Sequence, residues 1–382
     1  MTEIARFSFP TDIRFGPGAR FGVGGHLRKV GVSRPLIVTD RGISALPMCD
    51  EFAHDLAVSG LAPAQFDGVW GNPVRSQVLA GVEAFRAHGA DAVVGLGGGA
   101  ALDVAKAVAL LATHPGDLFD YEDEMAGARP IGPDVPYFAA LPTTAGTGSE
   151  VGRSAVIADD ETHVKKIIFS PYLLARVVFA DPELTLDLPP HLTAATGMDA
   201  LTHNVEAYLA RAYHPMCDGI ALEGLRLASE HLSQVVAVPY DLDARSAMLM
   251  ASMMGAVAFQ KGLGLVHSCA HALGTVADMH HGLANGVMID VALRWNLPAA
   301  PEKFRRMARV VGLDEGDPDT FITWLVGLKA EIGIPANLAD TDVPESAVDT
   351  LVELATADAC HANNPRPVGE HDFRAIFEEA FE

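Results

Sequence analysis

The chain has 382 residues, 49% hydrophobic and 20% charged, with 27 basic against 49 acidic side chains and a net charge of −22. That apolar share excludes a disordered chain, and at roughly 150 residues per domain the length allows two to three domains with real cores. A surface this acidic repels phosphate backbones and anionic lipid head groups. Nucleic acid and membrane surfaces are therefore not expected partners, and an anionic ligand must be held by backbone amides and helix N-termini.

Four widely spaced cysteines, Cys49, Cys217, Cys269 and Cys360, form no C-x-x-C pair and read as reduced thiols of a cytoplasmic protein. The first ten residues show no basic stretch leading into an apolar run, so no secretory leader is expected. The longest strongly apolar stretch, around Met248 to Phe259, falls short of the roughly 20 residues of a membrane span and reads as a core helix.

In chain order, strands are predicted at Pro35–Asp40, Ala64–Val69, Asp91–Gly97 and Tyr137–Leu141. Helices are predicted between them at Asp50–Ser59, Ser76–His88 and Leu102–Ala112. This alternation implies βαβ units and a parallel sheet covered on both faces. After Asp181 the pattern turns helical, with helices over Leu192–Leu209, Asp218–Val235 and Asp243–Phe259, a turn at Gly262 and Gly264, and further helices to the end. The division is placed near Pro182–Pro190: an α/β domain over 1–185 and an all-α domain over 186–382.

Three loops of the first half suit a nucleotide. The strand from Asp91 runs into Gly97-Gly98-Gly99 and then a helix carrying Asp103 and Lys106, so backbone amides and a helix N-terminus can approach an anion. The spacing matches neither the G-x-G-x-x-G nor the P-loop pattern, and a plain tight turn has the same sequence. Leu141-Pro-Thr-Thr-Ala-Gly-Thr-Gly-Ser-Glu150 offers hydroxyls and amides for phosphate or ribose, or simply caps a helix. Asp40, closing the first strand, can accept ribose hydroxyls and would repel a 2′-phosphate.

Histidine is clustered in the second half. Four of the fifteen, His267, His271, His280 and His281, fall in one short run. His267 and His271 are i,i+4, as are Asp199 and His203 in D-A-L-T-H, so each pair shares a helix face. One carboxylate with several imidazoles suits Zn2+ or Fe2+ rather than Ca2+ or Mg2+. Spacing alone does not say which of the five histidines bind.

These segments together resemble the iron-containing (group III) alcohol dehydrogenases of the dehydroquinate synthase-like fold. The resemblance runs from Phe15-Gly-Pro-Gly18 to Asn364-Pro-Arg-Pro367 and includes Thr196-Gly-Met-Asp-Ala-Leu-Thr-His-Asn-Val-Glu-Ala-Tyr208 and His281-Gly-Leu-Ala-Asn285. It implies a Rossmann-like dinucleotide-binding domain followed by a helical metal-binding domain. It puts the metal ligands on Asp199, His203, His267 and His281, and a non-ligand histidine suited to proton relay on His271. It puts the NAD contacts on Asp40, Asn72, Gly98, Gly99, Asp103, Thr143, Thr144, Thr147, Ser149 and Lys165, with Asp40 favouring NAD over NADP. His280 has no role in the resemblance.

The expected activity is reversible hydride transfer between NAD and a small alcohol or aldehyde with Fe2+ or Zn2+ bound, in a cytoplasmic homodimer or larger homo-oligomer. The rival expectations are a dehydroquinate synthase-like lyase using NAD transiently, and a non-catalytic nucleotide-binding assembly protein. Ala100 stands where the family often has Ser. Cys269, between two of the histidines, is an oxidation liability beside a redox metal. Arg366 is the basic group available to an anionic substrate, with a structural salt bridge as the commoner use of such a residue.

Overall fold

A computed structural model describes residues 8–9, 11–123, 125–314 and 316–382. The chain divides into two compact units. One comprises Pro10–Thr144 and Ser149–Leu186; the other comprises Ala145–Gly148 and Asp187–Glu382 with the described residues 8–9.

Among the described residues the first unit carries eight strands: β1 (Asp12–Phe15), β2 (Pro35–Asp40), β3 (Ala64–Val69), β4 (Ala92–Gly97), β5 (Tyr137–Pro142), β6 (Ser154–Ala158), β7 (Lys165–Phe169) and β8 (Val177–Ala180). Its helices are α1 (Val23–Lys29), the single turn α2 (Arg41–Ser44), α3 (Pro47–Val58), α4 (Arg75–His88) and α5 (Gly99–Thr113). Six strands form one sheet in the order β1-β8-β5-β4-β2-β3, and every pair is parallel. β6 and β7 form a separate antiparallel hairpin.

The strand sequences follow from this burial. β4, Ala-Val-Val-Gly-Leu-Gly, is buried at every position, as a central parallel strand with both faces covered must be. Val94 and Leu96 pack with Leu27 of α1 and Phe52 and Leu56 of α3. Gly95 points the other way, where a Cβ would stand 2.9 Å from Leu102 of α5. Close approach of α5 to the sheet is thus the reason for glycine at this position.

The four strands predicted from sequence are present. β1, β8 and the β6–β7 hairpin were not anticipated, because the first two are only four residues long and the hairpin is only partly buried. The helices begin before their predicted starts, and Pro47, Pro190 and Pro215 occupy first-turn positions, where a proline's missing N–H costs nothing.

The second unit is helical: α6 (Pro190–Leu209), α7 (Pro215–Ala237), α8 (Leu242–Ala258), α9 (Leu265–Ala277), α10 (His281–Asn296), α11 (Pro301–Val310), α12 (Thr320–Glu331), α13 (Val348–Ala357) and α14 (Glu370–Ala380). Every residue of α6 from Thr193 to Leu209 is buried, and α7, α8 and α10 pack around it. A helix enclosed on all sides has no solvent face, so its polar residues need partners inside the protein. Asp241 caps α8 by accepting from the Ala244 amide at 3.0 Å. Among the described residues, no single helix is long and apolar enough to cross a membrane.

Candidate active site

Of the candidate nucleotide residues, Asp40, Gly98, Gly99, Thr143 and Thr144 lie at the C-terminal ends of β2, β4 and β5. Gly98 occupies the N-cap position of α5, Gly99 is its first residue, and no side chain caps the helix there. The first amides of this 15-residue helix therefore suit a phosphate. Gly97 has no room for a side chain: a Cβ would lie 2.6 Å from Ala101 Cβ and 3.0 Å from Asp40 Oδ2. A Cβ on Gly98 would lie 3.1 Å from Thr144 Cγ2. Asp40 and Thr144 thus wall the glycine turn.

Asp40 also caps α2. Its Oδ1 accepts from the amides of Gly42 at 2.9 Å and Ile43 at 3.0 Å, which fixes the carboxylate and turns Oδ2 toward Gly97. Thr143 donates its amide to the Gly97 carbonyl at 3.1 Å, and its buried hydroxyl has no protein partner. A buried hydroxyl in this state fits a site completed by a bound polar ligand.

Asp103 is committed to its own unit. Oδ1 accepts from Ser149 Oγ at 2.5 Å and Lys106 Nζ at 3.2 Å, and Oδ2 accepts from the Val156 amide at 3.0 Å. Lys106, fully enclosed, also donates to Ser149 Oγ at 2.6 Å and the Ser154 carbonyl at 2.7 Å. Together these contacts tie α5 to the Ser149 turn and to β6. Asn72 lies between β3 and α4, Lys165 opens β7, and Thr147 belongs to the short stretch grouped with the helical unit.

In the helical unit, Asp199, His203, His267 and His281 converge, each offering one ligand atom within 4.8 Å of the others. α6 delivers Asp199 and His203, α9 delivers His267, and α10 delivers His281 at its first position. Asp199 Oδ1 stands 3.7 Å from His203 Nε2, 3.9 Å from His267 Nε2 and 3.5 Å from His281 Nε2. These separations are too long for hydrogen bonds. They match donors sharing one ion, because tetrahedral bonds of about 2.1 Å put ligand atoms roughly 3.4 Å apart. The donor set fits Fe2+ or Zn2+.

Surrounding groups prepare these donors. Burial pushes the His203 imidazole down to about 4, which keeps it neutral and its lone pair available. Burial opposes charge on His267 as well, but the hydrogen bond and charge of Glu206 outweigh it and hold that imidazole above its ordinary value. Glu206 Oε2 accepts from His267 Nδ1 at 2.6 Å, turning Nε2 toward Asp199. Its Oε1 accepts from the Val266 amide at 2.8 Å, and Asn364 Oδ1 accepts from the Leu265 amide at 3.3 Å. The N-terminus of α9, which starts after a glycine with no side-chain cap, is thus held by two distant residues. Asn285, fully buried, donates to Asp199 Oδ1 at 2.8 Å.

Glu206 and Asn285 are site residues that the sequence reading missed as such. Each stood within a quoted motif, Glu206 three residues after His203 and Asn285 four after His281, and helical spacing would have found both. α10 also meets α6 at close range: a Cβ on Gly282 would lie 2.2 Å from the Ala195 carbonyl and 3.2 Å from Asp199 Cβ.

His271 stands beside the cluster. Its ring stacks on His281 with centroids 5.4 Å apart and meets the edge of His267 at 6.2 Å. Its Nδ1 is bonded to Asp358 Oδ2 at 2.7 Å. His280 caps α10, accepting from the Leu283 amide at 3.4 Å. Cys269 is fully buried and burial pushes its thiol well up, so the oxidation expected of it is suppressed by lack of thiolate and of access. Arg366 stacks on the Trp295 ring at 3.5 Å and donates to the Trp295 carbonyl at 3.0 Å, which is a packing role rather than the anticipated ion pair.

Known protein families match the chain over both units. The family described as iron-containing alcohol dehydrogenase matches residues 10–182, and the C-terminal part of the Fe-containing alcohol dehydrogenase family matches residues 193–381. The chain is 40% identical over 376 residues to the 1,3-propanediol dehydrogenase of Klebsiella pneumoniae, covering 96% of each chain. It is 38% identical over 387 residues to the 4-hydroxybutyrate dehydrogenase of Cupriavidus necator, covering 99% of this chain and 100% of that one. A crystal structure of 1,3-propanediol oxidoreductase superposes with a TM-score of 0.93 at 38% identity, covering 99% of this chain and all of that one. With both units matched and 96% of the chain aligned to a relative at 40% identity, the chain belongs to the iron-containing alcohol dehydrogenase family.

Proposed function

We propose that this NAD-linked alcohol dehydrogenase holds its divalent metal, Fe2+ in the first instance, on Asp199, His203, His267 and His281. The observation that carries the assignment is the ring of 3.5–3.9 Å separations between Asp199 Oδ1 and three imidazole Nε2 atoms. The NAD contacts we assign are the amides at Gly98 and Gly99, the hydroxyls of Thr143, Thr144, Thr147 and Ser149, and the side chains of Asp40, Asn72, Asp103 and Lys165. Asp103 acts by holding Ser149 in place, and Asp40 reads the ribose through the oxygen that its capping role leaves over.

The bound groups supply Lewis acidity at the ion and hydride exchange at the nicotinamide. The protein's own residues do the positioning. Glu206 orients His267, Asn285 orients Asp199, and the low basicity of His203 keeps a proton off a donor nitrogen. His271, outside the donor set and half-buried beside it, relays the substrate proton.

The substrates we infer are small primary alcohols and their aldehydes, including diols and ω-hydroxy acids, in line with the relatives named above. We further infer a cytoplasmic homodimer; all four cysteines are free, which suits a reducing compartment.

The test is NADH oxidation by anaerobically purified protein over a panel of short aldehydes, before and after chelation and with Fe2+ or Zn2+ restored. Loss with the chelator and recovery with one ion are expected. Protein that carries one metal per chain and still turns over no aldehyde would overturn the substrate assignment.

A further inference from the structure

His271, Asp358 and Cys360 form a second trio of metal-capable side chains, their donor atoms within 4.8 Å of one another. The spacing distinguishes it from the first group. His271 Nδ1 and Asp358 Oδ2 are 2.7 Å apart, a charge-assisted hydrogen bond, whereas the donors around Asp199 stand 3.5 Å or more apart. The trio is therefore a hydrogen-bonded relay rather than a vacant cage.

The carboxylate is fixed from its other side. Asp358 Oδ1 accepts from Ser268 Oγ at 2.7 Å and from the Cys360 amide at 2.8 Å, and Ser268 Oγ in turn accepts from the His361 amide at 3.0 Å. Burial works against the Asp358 charge, but the bonds from His271 and Ser268 outweigh it and hold the carboxyl well below its usual range. An ionised carboxylate only accepts, so His271 Nδ1 carries the hydrogen, and in the neutral ring this tautomer leaves the lone pair on Nε2. Ser268 and His271 lie three residues apart on α9, and Asp358 follows directly after α13. The pair therefore bridges two packed helices.

We propose that Asp358 is the positioning residue for His271, fixing its ring plane and its Nδ1–H tautomer so that Nε2 is the atom that exchanges the substrate proton. The inference rests on the reading of His271 as the proton relay. In alcohol oxidation the carbon gives its hydride to the nicotinamide, and the hydroxyl proton passes to the lone pair of Nε2. In aldehyde reduction both move in reverse, so electrons and protons balance without a further reactant. An asparagine at 358 would present an N–H to Nδ1, favour the opposite tautomer and leave Nε2 protonated before the reaction begins.

The experiment compares the holoenzyme carrying Asp358→Asn, His271→Ala and both, with metal content measured in each. It also compares 15N-histidine spectra of wild type and Asp358→Asn, the His271 signals being identified by their loss in His271→Ala. Asp358→Asn should keep its metal, lose roughly 10²–10⁴-fold in kcat with little change in KM, and move His271 from the Nδ1–H to the Nε2–H pattern. The loss should disappear in the His271→Ala background. Ser268→Ala, which frees one oxygen of the carboxylate, should show a smaller loss of the same kind. An unchanged tautomer in Asp358→Asn, or an equal loss with and without His271, overturns the proposal. Full turnover in His271→Ala instead overturns the relay reading, while the tautomer measurement still decides whether Asp358 sets the ring.

Discussion

Glu206 Oε2 lies 2.6 Å from Nδ1 of His267 across 61 positions of sequence. The carboxylate is seven residues after Asp199 on the same helix, so α6 supplies two donors and the group that aims a third. Glu206→Gln should weaken metal binding by about 10–100-fold, because the amide no longer supports the imidazole with a charge. Competitive titration against a chelator of known affinity measures this, and unchanged affinity would show that the 2.6 Å contact plays no part in holding the ion.

Asp199→Ala and His281→Ala should each lose metal and activity together. Elemental analysis of the purified variants is the check. One metal per chain retained in either variant would remove that residue from the donor set.

Asp40→Gly should raise the ratio of NADP to NAD use, measured as kcat/KM for each, because the carboxylate that repels a 2′-phosphate is gone. The same change removes the cap on α2, so a small loss of stability is expected beside it. An unchanged cofactor ratio would mean that Asp40 serves only as that cap.

Glu150 gives a pH dependence that is separate from the metal. Burial pushes its carboxyl up to about 7, and its Oε1 has no partner. The folded state thus holds a proton that the unfolded chain releases near its usual value of about 4.3. That contribution to stability is complete below the unfolded value and is lost as pH rises through about 7. Glu150→Gln should therefore raise the melting temperature at pH 8 and leave it nearly unchanged at pH 4. The gain is on the order of 3 kcal/mol at most. Equal melting curves for both proteins at pH 8 would contradict the buried assignment.

The sequence was most legible where one element carries the whole pattern. Asp199 and His203 on α6, and Gly97 after an unbroken apolar strand, announce themselves through helical spacing and turn chemistry. His267 and His281 lie on different helices, so spacing alone left their membership open and only the resemblance chose among the five histidines. Asp358 is 87 positions from His271, and no local signal links them. The edge strand β1, Asp-Ile-Arg-Phe, has only one partly buried side chain, so its place in the sheet comes from pairing with β8 rather than from its own composition. Asp103 was singled out as a cofactor contact, and its bonds to Ser149, Lys106 and Val156 show a tether that a cofactor motif does not reveal.

The contact at Gly282 has a consequence for the donor cluster. Where a Cβ would stand 2.2 Å from the Ala195 carbonyl, two helix backbones meet with nothing compressible between them. The gap between Asp199 and His281 is therefore a property of the scaffold, present before any ion arrives. The spacing of α6 and α10 beside the donor cluster is thus set by main-chain contact rather than by side-chain packing.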